Sequence, residues 1–413
     1  MSSTVTIFEK ELEYDFLSGW IRYTRIKNNF SQEALAHGIC STSHLSYFEN
    51  GKKHLRPEII EALLEKLNIN LTDNLPNIGL IRQKLNIMKN DIESYNFDGA
   101  KEIHTELSKL ENIINSSPYN IEFKIYDLMY KTFVENVPYN KLKDDIDILD
   151  KILNALSYDL KFLYLLISGI ILSKQHKSKE AIERQLQALT LKDTSWINFC
   201  LGQSLCFNSN PAKGSYYLEK ALDIYEKSGM YLNAVWCHNY LGICFSYLKI
   251  YENAEKHFNA AFMSAKHFDM ENLYFQLYTN LSDLYFYKGN YEKSIKYSKL
   301  AMETTYDSIL PAYNYILACM KLNKIDDCNE IFDIYLNEKF ESSMYYNALY
   351  FAYLCIHKFN DEFFYTEVKD KILPYYEERK ISDLCRDIKL KLIEYLESRR
   401  KYKEANKLYK QLL

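Results

Sequence analysis

Residues 31–52 read SQEALAHGICSTSHLSYFENGK and hold the side chains best placed to do chemistry, which is hydrogen bonding to a nucleic-acid groove. Ser31 is placed to cap a short helix through Gln32, Glu33, Ala34, Leu35 and Ala36, and a tight turn follows at His37 and Gly38. A second helix is expected from the Ser41/Thr42 cap to Asn50 and Gly51, where glycine suits a left-handed C-terminal position. Two helices of about two turns joined by a glycine-containing turn make a helix-turn-helix, whose second helix is shaped to enter the major groove. Leu35, Ala36, Ile39, Leu45 and Phe48 are expected to face inward. Thr42, Ser43, His44 and Tyr47 lie off that stripe and are assigned to DNA base edges. Gln32, Ser46, Asn50, Lys52 and Lys53 are better placed for phosphates. The plain alternative is a solvated helix face, and the length of the surrounding pattern argues against it.

Charge fits a modest DNA footprint. The chain of 413 residues carries a formal −4, which excludes a blanket nucleic-acid coat. Between positions 19 and 56, however, Arg22, Arg25, Lys27, Lys52, Lys53 and Arg56 stand against Glu33 and Glu49, a local +4. That suffices for docking and is too little for tight nonspecific binding. An acidic flank at Glu9, Glu11, Glu13 and Asp15 offsets it.

Elements beyond the head must present it. Eleven glycines and seven prolines leave little room for β-turns, and the apolar spacing is helical nearly throughout. Residues 241–261 and 281–301 match at an offset of 40, with Leu241/Leu281, Gly242/Ser282, Phe245/Tyr285, Tyr251/Tyr291, Ala254/Ser294 and Ala261/Ala301 in register. One offset earlier, Leu201, Gly202, Leu205, Gly214, Leu218 and Ala221 fill the same slots. Weaker copies bring the expected array to about nine helical hairpins. Small residues are expected where two helices cross closely.

Residues 68–77, with Pro76, break the helical pattern. The expected organisation is therefore a helix-turn-helix domain over 1–69, a linker over 70–79, and over 80–413 an array that senses a ligand and dimerises. The fold class is all-α, a phage-repressor-like helix-turn-helix followed by a right-handed superhelical tetratricopeptide-repeat array.

Other chemistry finds little in the chain. It lacks a GxxxxGK phosphate loop, HExxH, a CxxC pair and GxSxG, so neither an enzyme nor any metal or cofactor is expected. Nine cysteines, an odd number, read as buried thiols in a reducing compartment. With no basic-then-apolar leader and no apolar run of membrane-spanning length, the chain is expected to be soluble and cytoplasmic.

Together the helix-turn-helix and the repeats resemble the RRNPP family of peptide-sensing, quorum-sensing transcriptional regulators, most specifically over residues 38–52. The resemblance implies a receptor for a short, linear, imported signalling peptide that acts on paired DNA-binding heads. It implies as partners a double-stranded DNA operator, that peptide and a second copy in a homodimer. Candidate peptide contacts on the first helix of successive hairpins are Gln203, Asn239, Asn280, Asn314 and Asn347, whose amides donate and accept at once. Trp236, Tyr247, Tyr287 and Lys321 flank them, the aromatics for an apolar pocket and the lysine for a carboxylate. The competing expectation is an array that sequesters a response-regulator protein in a sporulation-type phosphorelay, with the DNA head secondary.

Overall fold

The computed structural model describes residues 14–69, 78–115, 117, 119–175, 177–207, 210–304, 308–341, 343–379 and 381–412, and among these every regular element is helical. Glu9, Glu11 and Glu13 of the acidic flank, and the linker positions 70–77, lie outside the described residues.

The head comprises α1 (Tyr14–Lys27), α2 (Gln32–Ala36), α3 (Thr42–Glu49) and α4 (Pro57–Lys66). The array begins with α5 (Ile78–Glu93), α6 (Phe97–Ser108), a single turn α7 (Glu111–Asn115), α8 (Asn120–Phe133) and α9 (Tyr139–Ile152). It continues through α10 (Tyr158–Lys174), α11 (Ser178–Leu191), α12 (Ser195–Phe207), α13 (Pro211–Lys227), α14 (Tyr231–Tyr247) and α15 (Tyr251–His267). The remaining hairpins are built from α16 (Glu271–Tyr287), α17 (Tyr291–Thr304), α18 (Leu310–Lys321), α19 (Asn329–Tyr335), α20 (Met344–His357), α21 (Glu362–Glu367), α22 (Leu373–Glu378), α23 (Ser382–Ser398) and α24 (Tyr402–Tyr409). The contacts divide the chain into two compact units, Met1–Cys244 and Phe245–Leu413.

Close helix crossings follow the repeat register. A methyl group added to Gly214 would lie 2.9 Å from the Gly202 carbonyl oxygen and 3.0 Å from the Cys206 amide nitrogen. A methyl on Gly202 would sit 2.7 Å from the Leu218 Cγ. In the second unit the same slots carry Ser282, Ser294 and Ser298, whose buried hydroxyls bond one another, with Ser282 Oγ 2.7 Å from Ser298 Oγ. Ser282 Oγ also donates to the Ser294 carbonyl at 3.1 Å. Small side chains let the backbones approach, and where a hydroxyl replaces hydrogen it is satisfied inside the crossing. Leu201, Leu241 and Leu281 are buried in all three copies, as are Ala221, Ala261 and Ala301.

The head shares its core with the start of the array. Within the first unit α1 packs on α8 and α9 as well as on α3. A methyl on Gly19 would stand 3.2 Å from the Ala155 carbonyl oxygen and 3.3 Å from the Ile121 Cδ1, so this face of α1 is in contact with the array backbone. One apolar core runs from Leu17, Trp20 and Ile21 through Leu45 and Phe48 to Ile121, Ile125 and Leu149. Sequence reading expects the head to be set off by its linker. The structure instead makes α1 a shared wall, because it carries a side-chain set for each neighbour.

Gly214→Ala should cost about 1–3 kcal/mol, since the new methyl meets backbone that cannot rotate away. Denaturant unfolding at constant m-value is the measurement. A loss below roughly 0.5 kcal/mol, the ordinary value for a surface substitution, would mean that the crossing has slack.

Candidate nucleic-acid interface and ligand face

The helix-turn-helix forms from its own caps. Ser31 Oγ accepts the Ala34 amide at 3.0 Å and starts α2, while Ser41 Oγ accepts the His44 amide at 3.2 Å and starts α3. Gly38 turns with φ +80°, and Gly51 takes φ +66° just beyond α3, positions where a side chain would strain the backbone. Leu35, Ala36, Leu45 and Phe48 are buried, and Ile39 is half-buried. Thr42, Ser43, His44 and Tyr47 are all exposed, so the four residues assigned to base edges emerge together from the N-terminal part of α3.

The five residues assigned to phosphates divide. Lys52 and Lys53 are exposed beyond α3, with Lys53 Nζ 3.4 Å from His44 Nε2. Ser46 is half-buried, and its carbonyl accepts the Asn50 side-chain Nδ2 at 2.7 Å. Asn50 Oδ1 also accepts Arg22 Nη1 at 2.8 Å, and Gln32 Nε2 donates to Glu49 Oε2 at 2.7 Å. Gln32 and Asn50 thus hold α3 in place from within the head.

Their partner Glu49 is the residue that sequence reasoning counted as an ordinary acid. It is fully buried and meets Arg25 through two bonds, Nε to Oε1 at 2.5 Å and Nη2 to Oε2 at 2.7 Å. Arg25 also donates to the Phe30 carbonyl at 2.9 Å, and so closes the loop before α2. Position 49 lies one turn beyond Leu45 on the same stripe, which is the signal that could have placed it inside.

On the array, the first-unit candidates are engaged within the unit. Gln203 on α12 donates to the Tyr240 hydroxyl. The half-buried Trp236 on α14 stacks on Tyr240 at 6.4 Å and on Tyr95 at 6.0 Å, each at 27°. Asn239 is wholly buried. Asn233, absent from the sequence-derived set, donates Nδ2 to the Glu93 carbonyl at 2.8 Å.

In the second unit Tyr247, Tyr287 and Lys321 are exposed, Asn280 and Asn347 are half-buried and Asn314 is buried. Asp283, one turn before Tyr287 on α16, is a further group that sequence reasoning missed. Burial pushes its carboxyl up to about 6, and the Asn314 amide offsets only part of that. Burial, then Asp283 and Asp383, raise the Tyr287 hydroxyl, while burial and Asp283 raise that of Tyr345. A poorly solvated carboxyl among phenols and amides gains from any cation brought to it.

The helix-turn-helix family model matches residues 21–74. The transcriptional activator NprA of Geobacillus stearothermophilus is 23% identical over 416 residues, covering 91% of this chain and 97% of NprA. That alignment runs through head and array alike. The chain thus pairs a helix-turn-helix head with an array that aligns along its length with a transcriptional activator. Its fold is that of the apo quorum sensor NprR from B. thuringiensis, with TM-score 0.68 at 16% identity over 80% of this chain and 97% of NprR. NprR in complex with its cognate peptide NprX gives TM-score 0.57 at 16% identity, over 82% and 98% of the two chains. A Rap protein complexed with Competence and Sporulation Factor gives TM-score 0.66 at 18% identity, over 81% and 96%.

Glu49→Ala should destabilise this head by about 3–5 kcal/mol, because Arg25 is left buried without its carboxylate. Amide exchange over α2 and α3 reads it, and unchanged protection there would remove the clamp from the account.

Asp283 supplies a pH test. Its folded pKa of about 6 lies above the ordinary carboxyl value near 4, so the folded chain holds the proton more tightly. Its contribution to stability is greatest below about pH 4 and is lost as pH rises through 6. Asp283→Asn should therefore stabilise the chain by ~1–2 kcal/mol at pH 7.5 and by much less at pH 4. Urea unfolding at both pH values checks this, and an equal effect at the two would refute it.

Proposed function

We propose that this chain is a sequence-specific DNA-binding transcriptional regulator whose repeat array takes a short linear signalling peptide. The observation that carries the reading is the capped α3 presenting Thr42, Ser43, His44 and Tyr47 together, on a head clamped from within. The collinear relation to a transcriptional activator supports it. So does an array with the fold of NprR, a protein solved with its cognate peptide. Candidate peptide contacts are, in the first unit, the face of α14 around Trp236 and, in the second unit, Tyr247, Asn280, Tyr287, Lys321 and Asn347, exposed or half-buried. Asn314 stands behind them beside Asp283, which favours a peptide carrying a cationic group.

Two heads act together as a homodimer on a roughly palindromic operator, since one small head with few cations binds weakly alone. The protein works in the cytoplasm, by binding rather than by catalysis, and uses no cofactor. Among the described residues, no helix is long and apolar enough to cross a membrane.

The experiment is sequencing of genomic fragments retained by the purified chain at roughly physiological salt, beside a Thr42→Ala/Ser43→Ala control. A shared inverted repeat that the control loses is the expected result. On that site Thr42→Ala should cost about 1–3 kcal/mol, whereas Lys53→Ala should weaken all sequences alike and flatten the salt dependence. Peptide should then shift operator affinity. No enriched site, with or without peptide, would sink the reading in favour of an array that sequesters a response-regulator partner.

A further inference from the structure

The turn between α5 and α6 does more than join two helices. Its tip reaches α14, and the Asn233–Glu93 hydrogen bond closes a loop of 140 residues at 2.8 Å. Tyr95 lies 6.0 Å from Trp236 and stacks on it, while Phe97 meets Tyr95 edge-on at 6.0 Å. The covered face of α14 is that of Asn233, Trp236 and Tyr240, three positions spaced one helical turn apart.

Tyr95 is an unusual residue for its backbone. It takes φ +63°, the left-handed position that closes a helix. At the matching turns of other hairpins that position is held by Asn136, Lys249, Gly289, Asn323 and Arg400. An aromatic side chain bears strain there that asparagine or glycine largely escapes. The local turn does not need the ring, because the Asn96 amide donates to the Asp91 carbonyl at 2.8 Å and the Asn96 side chain caps α6. The ring is therefore explained by what it touches.

The contact is also incomplete. Trp236 Nε1 is buried and makes no hydrogen bond among the described residues. Burial also pushes the Glu93 carboxyl up. A peptide carbonyl offered to Trp236 Nε1 would satisfy a donor that the tip leaves bare.

We propose that the Glu93–Tyr95 tip is a displaceable latch, an intramolecular occupant of the ligand face around Trp236 that holds the array in its peptide-free arrangement. The proposal rests on the reading that the first-helix faces of the array take the peptide. The latch has a mechanical route to the head within the first unit. α5 packs on α8, and α8 packs on α1, which carries Arg22 and Arg25 to the recognition helix. Releasing Tyr95 loosens the free end of α5 and hence the seat of α1.

Amide hydrogen exchange on the full chain tests this without peptide or DNA. Tyr95→Ala should speed exchange about fivefold both at 91–97 and at 231–240, the value of one aromatic pair, and should also raise exchange along α1. Tyr95→Phe keeps the ring and should match the wild type. Asn233→Ala should show the same pattern more weakly, and it keeps the test readable should Tyr95→Ala unfold the chain. Unchanged exchange at 231–240 in Tyr95→Ala, or in Asn233→Ala if it stands in, overturns the latch. Faster exchange there with α1 unaffected overturns it too, leaving a packing contact with no path to the head. Failure of the peptide reading shows elsewhere, in operator affinity that no peptide moves.

Discussion

A carboxylate wholly buried among helices fixes the position of the recognition helix. Glu49 is fully buried and accepts three hydrogen bonds, two from Arg25 and one from Gln32. Desolvating such a pair costs several kcal/mol per ion, so its net worth to stability is small. Its worth to geometry is larger. A bidentate guanidinium–carboxylate pair permits one orientation, and it joins the end of α3 to the last turn of α1. Arg22 adds a second tie to Asn50, one residue further along. The exposed side chains of α3, those assigned to base edges, therefore move with α1.

The same helix meets the array on another side. Gly19 brings the α1 backbone against Ala155 and Ile121, close enough that a methyl group would press on both. Tyr23, one turn further on, is buried and feels the charge of Asp145 on α9. An ion pair on one face and a glycine contact on the other make α1 a coupling element. A head tethered only by a mobile linker would be blind to the shape of its array. This head is not, because its first helix belongs to both cores.

How much of this the sequence discloses depends on the range of the interaction. Capping serines, the glycine turns and the inward stripe of α2 and α3 are encoded within a few residues, and they are found where the spacing puts them. The repeat slots are equally legible because each hairpin packs on its neighbour, so Gly202, Gly242 and Ser282 share one constraint. The polar groups were harder to place. Gln32 and Asn50 have the side chains of phosphate contacts, and only the burial of Glu49 turns them inward. Tyr95 and Asn233 lie farther apart still, and no local periodicity reports a contact made by the path of the chain. The one local hint is an aromatic residue at a left-handed turn position.

Tight coupling at α1 matters because DNA is an exacting partner. In the proposed dimer, paired heads must meet half-sites about 34 Å apart or at multiples of that spacing. A head of roughly 70 residues is ~25 Å across. Pivoting it by roughly 10° about its contact with α8 and α9 would carry the far side of α3 by ~4 Å, more than the ~3.4 Å step between base pairs. A change in the array too small to alter any helix would then put one recognition helix out of register with its half-site. No bond within the head need break. The internal clamp makes this possible: with Arg25 and Glu49 locked, strain entering through α1 is not absorbed between the helices but delivered to the exposed side chains proposed to read the groove.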